Sequence, residues 1–190
     1  FNTANTTGSL EASDFSLSIS GGTATLSSAT PTSISASGNV YTLGIASYSG
    51  YPDGSEVLSV VPVDDGIYDG AGNEASTTQT NNGATLNDEL PPTISSVVIA
   101  GDNGTVAVTL SETVFSTING SGAMEASNFS LSVAGGTASL SSATPSSISA
   151  NGNVYTLGLP ITGASDGTEI LSVVPIDNKI YDAVGNEAST

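Results

Sequence analysis

The chain repeats itself, and that repeat limits the folds open to it. Residues 1–44 align without gaps on residues 115–158, an offset of 114, with 32 of 44 positions identical. After a one-residue deletion, residues 53–77 align on residues 166–190 with 18 of 25 identical. EASDFSLS (11–18) returns as EASNFSLS (125–132), and the apolar exchanges are mild: Leu10/Met124, Ile19/Val133, Val57/Ile170, Val63/Ile176. Self-similarity at a fixed period marks serial units of one kind, and a unit of about 113 residues is an ordinary domain size. The first copy has no counterpart of PPTISSVVIAGDNGTVAVTLSETV (91–114). Residues 1–90 therefore read as a repeat without its first two strands, with a linker from about residue 87, and residues 91–190 as a second repeat. This pattern fits a window of a longer tandem array; the alternative is a two-domain protein with a truncated first domain.

Composition removes whole classes of chemistry. The chain has 18 acidic residues against one basic residue, Lys179, for a formal charge of −17. It has no Cys, so disulfides, thiolate metal sites and a cysteine nucleophile are excluded. It has no His, so there is no Ser-His-Asp triad and no imidazole ligand. A single cation cannot neutralise a phosphate backbone, which argues against nucleic-acid binding. No apolar run approaches the roughly 20 residues of a membrane-spanning helix, so membrane insertion is not expected.

The apolar residues are Val, Ile, Leu and Ala alternating with Ser and Thr, which specifies half-buried strands rather than helices. In the second copy the expected strands are 93–100, 105–114, one from Phe129, 137–144, one around 155–159 and 168–176. A last strand follows YDAVGNEAS; in the first copy it runs through 75–86. Turns fall at Asp102-Asn103-Gly104, Gly135-Gly136, Asn151-Gly152 and Asp166-Gly167. About seven short strands per unit predict an all-β protein of tandem immunoglobulin-like β-sandwiches. A small barrel is the runner-up.

If successive strands run antiparallel, one end of the unit gathers the acids. Glu112, Glu125, Asn128, Asp177, Asp182, Asn186 and Glu187 fall there, and the preceding linker brings Asp88 and Glu89 ahead of Pro91-Pro92. Crowded carboxylates without a cation repel one another or protonate. Calcium (Ca2+), which takes 6–8 oxygen ligands in irregular geometry, relieves this. The expected ligands are Asp88, Glu112, Glu125, Asp182 and Asn186, with Glu11, Asp69 and Asn73 as their kind in the first copy. The competing reading is that these acids are ordinary turn formers and YDAVGN is a tight turn. Tyr48 and Tyr51, replaced in the second copy by Gly163-Ala164-Ser165, are the one hint of a glycan contact. Tyr41/Tyr155 read as core and Tyr68/Tyr181 as packing beneath the last loop. No cleft-forming acid pair with sugar-stacking Trp is present, and the chain is not read as an enzyme.

LSETVF (110–115), EASNFSLS (125–132), GNVYTLGL (152–159) and IYDAVGNEAS (180–189), opened by PPTISSV (91–97), resemble bacterial immunoglobulin-like repeats. Such repeats occur in tandem in giant secreted adhesins and surface filament proteins. The resemblance implies an extracellular, cell-surface location and a structural or adhesive role, often calcium-stabilised. The function expected is a spacer or stalk whose partners are neighbouring repeats of the same chain and neighbouring chains in a fibre. The alternative is a carbohydrate-binding or accessory module of a secreted protein. Were Phe1 a true protein start, the open sandwich would expose strand edges able to recruit a strand from a neighbour.

Overall fold

A computed structural model describes residues 1–5 and 7–190. The chain divides into two compact units, Phe1–Leu90 and Pro91–Thr190. Both are all-β, built from small antiparallel sheets, with two short 3-10 turns at Ala12–Asp14 and Ala126–Asn128.

The first unit holds β1 (Phe15–Ser20), β2 (Thr25–Leu26), β3 (Ser33–Ser37), β4 (Val40–Gly44), β5 (Tyr48–Ser49), β6 (Val57–Pro62) and β7 (Gly83–Thr85). Their sheets are β1-β6-β7, β2-β5 and β3-β4. The second holds β8 (Ile94–Ile99), β9 (Thr105–Leu110), β10 (Phe129–Ala134), β11 (Ser139–Leu140), β12 (Ile148–Asn151), β13 (Val154–Gly158), β14 (Ile161–Thr162) and β15 (Ile170–Pro175). Here a four-stranded sheet runs β12-β13-β9-β8, beside the pairs β10-β15 and β11-β14.

The alternation of β9 is realised residue by residue: Val106, Val108 and Leu110 are buried and the residues between them are half-buried. They join Phe129 and Leu131 of β10, Tyr155 and Leu157 of β13 and Val173 of β15 in one core, closed below by Val114, Ile180 and Ala188. The four-stranded sheet and the β10-β15 pair thus bury their inner faces in a common cluster. Fully burying an aliphatic or aromatic side chain of this kind is worth about 1.5–3 kcal/mol.

Several strand expectations need correction. The residues expected as one strand, 137–144, supply only β11, and a separate strand, β12, pairs with β13 from Ile148↔Leu157 to Asn151↔Val154. The expected hairpin turn at Asn151-Gly152 sits one residue later. Asn151 and Val154 close it around Gly152-Asn153, and Gly152 takes the positive φ (58°) that the first position of a type II′ turn requires. Ile148 and Ala150 alternate with Ser149 and Asn151, a strand pattern only four residues long that pairing with β13 completes. The strand expected over 105–114 ends at Leu110, because Leu110 and Ser111 make the last backbone hydrogen bonds of its ladder. The last strand expected through 75–86 shortens to β7, paired with β6 from Val57↔Thr85 to Ser59↔Gly83.

Candidate cation site

Two loops meet at one end of the second unit. After β9 the chain passes Glu112 and reaches Phe115; after β15 it reaches Tyr181. Phe115 and Tyr181 exchange backbone hydrogen bonds of 2.7 and 2.9 Å, which pin the two loops together. As a result a carboxylate oxygen of Glu112 and one of Asp182 lie within 4.8 Å of each other. Glu112 is half-buried and Asp182 fully buried.

Asp182 is first a loop clasp. Its Oδ1 accepts the backbone N–H groups of Val184 (2.9 Å), Gly185 (2.6 Å) and Asn186 (2.8 Å), and its Oδ2 accepts the Asn186 side-chain amide at 2.7 Å. The tight-turn reading of YDAVGN therefore describes the local geometry, and the same carboxylate stands beside Glu112. The first unit repeats the clasp. Asp69 Oδ1 accepts Ala71 and Asn73 N–H at 2.8 and 2.9 Å, and Asn73 donates its amide to Oδ2 at 2.9 Å. The Asn73 amide is the chief cause holding the Asp69 carboxyl below the ordinary carboxylate range.

The remaining expected ligands are employed elsewhere. Glu125 and Glu11 cap the two 3-10 turns: Glu125 N–H donates to Asn128 Oδ1 at 2.6 Å and Glu11 N–H to Asp14 Oδ2 at 2.7 Å. Asp88 is half-buried in the closing residues of the first unit, where its Oδ1 accepts the Leu90 N–H at 2.9 Å. Tyr48 belongs to β5 opposite Leu26 and is half-buried, whereas Tyr51 is exposed.

Sequence reading missed a second pair of acids. Glu56 is fully buried at the start of β6. Its Oε1 accepts the N–H groups of Thr23 and Ala24 at 2.9 and 3.0 Å, and its Oε2 that of Asp53 at 2.9 Å. Glu169 does the same before β15, taking Thr137 and Ala138 N–H at 2.9 and 3.0 Å and Gly167 N–H at 3.1 Å. The Ala138 N–H leads the causes that draw its pKa down to about 2, and the Ala24 N–H lowers that of Glu56. The available signal was the pairing of each Glu with a Gly-Gly turn in both copies. A Cβ on Gly22 or Gly136 would collide with the carboxylate of Glu56 or Glu169.

Comparison with protein-family models, curated proteins and solved structures returns no match. Among the described residues no helix is long and apolar enough to cross a membrane.

Proposed function

We propose that the chain is a spacer segment of a large bacterial surface adhesin or extracellular filament, made of immunoglobulin-like sandwiches in series and stiffened by calcium. The observation that carries this reading is the tandem duplication of one β unit within a single chain. The sheet orders support the sandwich. In the second unit the order β12-β13-β9-β8 is that of the four-stranded sheet of a constant-type immunoglobulin domain; in the first unit the order β1-β6-β7 is that of a three-stranded one, and the second unit shows only β10-β15 of it. The charge of −17 with a Ser- and Thr-rich surface suits a salty, calcium-containing exterior, where ions screen self-repulsion.

For the cation we assign Glu112 and Asp182 of the second unit, two carboxylates of the hard-oxygen type that calcium takes. A cation there would hold the loop after β9 to the loop after β15. Thermal melting in millimolar calcium and in chelator tests this. A rise in melting temperature with calcium, lost in Glu112→Gln, is the expected result. Identical curves would remove calcium from the proposal and leave a plain spacer.

A further inference from the structure

Four stretches of the chain read Asn, then any residue but Pro, then Ser or Thr, the acceptor pattern for an N-linked sugar. They begin at Asn5, Asn103, Asn119 and Asn128. The fold sorts them by what a sugar-transferring enzyme can reach. Asn128 is 4% exposed, and its Oδ1 accepts the Glu125 N–H at 2.6 Å in the 3-10 cap. Asn103 is exposed, but the Thr105 of its triplet is fixed in β9 opposite Gly158. Asn119 and Asn5 are exposed, and so are the hydroxyl residues of their triplets, Ser121 and Thr7.

Asn119 and Asn5 hold the same place in the two units. Between residues 2–9 and 116–123 the copies differ at most positions, and only Thr3/Thr117, Asn5/Asn119 and Gly8/Gly122 are identical. The contacts around the carboxamide are the same in both. Asn119 Oδ1 accepts the Thr117 hydroxyl at 2.6 Å and the Ser121 hydroxyl at 2.7 Å. Asn5 Oδ1 accepts the Thr3 hydroxyl at 2.6 Å and the Thr7 hydroxyl at 2.7 Å. The exchange of Thr7 for Ser121 drops a methyl group and keeps the hydroxyl, the one group that both the contact and the acceptor pattern need. The hydroxyls hold the carboxamide by its oxygen, and Asn119 Nδ2 has no hydrogen-bond partner among the described residues.

Each turn is also held against its own unit. A Cβ on Gly185 would fall 2.6 Å from Ile118 O, and one on its counterpart Gly72 would fall 2.8 Å from Ala4 O. The loop that Asp182 or Asp69 clasps thus supports the turn by close backbone contact, while the Asn side chain stays exposed.

We infer that Asn119 and Asn5 are modification sites that carry an N-linked glycan on Nδ2. The donor is a sugar joined through C1 to a diphosphate carrier. In the transfer the C1–O bond breaks and a C1–Nδ2 bond forms. The diphosphate leaves with the electron pair, and Nδ2 gives up one proton to a base of the transferase. This inference depends on neither calcium nor the stalk.

The test has two arms. Peptides of the protein from its native source are read by mass spectrometry; Asn119 and Asn5 should carry sugar and Asn128 none. Separately, the whole folded chain is offered UDP-glucose with a soluble asparagine glucosyltransferase, and a lipid-linked oligosaccharide with its membrane transferase, which tells a nucleotide carrier from a lipid one. Labelling at Asn119 should exceed that at Asn128 by about tenfold or more, because Asn128 is reached only when its cap opens. Ser121→Ala should abolish labelling at Asn119 and spare Asn5, and Ser121→Thr should restore it. Bare Asn119 and Asn5 in the native protein overturn the inference. So do equal labelling of Asn119 and Asn128, labelling of Asn119 that survives Ser121→Ala, and no label at Asn119 with either donor.

Discussion

Glu169, at the start of β15, accepts the backbone N–H of Ala138 at 3.0 Å across the Gly135-Gly136 turn. Glu56 repeats this contact with Ala24 in the first unit at the same distance. A carboxylate here satisfies backbone donors that no strand partner reaches. Ionisation is part of the contact, because a charged acceptor holds several N–H groups at once.

Acid should therefore loosen both units. The Glu169 pKa lies at about 2 in the folded state against an ordinary 4.5, and that of Glu56 is lowered in the same sense. A depressed folded pKa gives stability that is full above about pH 4.5 and fades as pH falls toward 2. Melting temperature measured from pH 6 downward should decline over that window. In the double variant Glu56→Gln, Glu169→Gln the decline should be shallower, from a lower starting point.

The glycines opposite these acids are open to a ranking. Gly136 has φ of 60° and a Cβ there would strike the Glu169 carboxylate; Gly152 has φ of 58° with nothing within 4 Å. Gly152→Ala should cost about 1 kcal/mol, the ordinary charge for a left-handed backbone. Gly136→Ala should cost more, because the carboxylate must also leave its donors. Urea unfolding of the two variants checks the order.

Equivalent leucines should weigh differently in the two units. Leu157 is fully buried on β13 beside β9, whereas Leu43 is half-buried. Leu157→Ala should destabilise the second unit by about 2–5 kcal/mol. Leu43→Ala should cost the first unit clearly less, since part of its surface already meets water. Two resolved transitions in calorimetry would assign each loss to its unit.

The clasp and the cation can be separated by two substitutions. Asn186→Ala removes the amide that Asp182 Oδ2 accepts, so it should lower the melting temperature with or without calcium. Glu112→Gln leaves the clasp bonds in place and should remove the increment that calcium adds. Equal behaviour of the two variants in chelator would contradict this division.

Much of the fold was legible because it rests on local pattern. The strict alternation of TVAVTL specifies a strand with one buried face, and Val106, Val108 and Leu110 fill it. The Gly-Gly pairs punctuate the chain as their backbone freedom requires, and Gly152 does so one residue later than expected. The gathering of Glu112 and Asp182 was legible too, since strand direction alone sends both loops to one end. The strand β12 was missed although Ile148 and Ala150 alternate with Ser149 and Asn151, because four residues with one large apolar side chain are a short signal that pairing with β13 completes. Glu125 and Glu11 were expected at the cation and sit instead in caps, since a carboxylate three residues from a backbone donor finds it before any distant partner.

By itself, then, the sequence determined a duplicated all-β unit, its turns, its inward-facing residues and its excess of acid, because these depend on side-chain period and composition. Tertiary structure alone decided which N–H groups Glu56 and Glu169 satisfy. It also decided that Tyr155 is enclosed between β9 and β12. Those outcomes depend on which strands lie side by side, and side-chain period and composition do not state that.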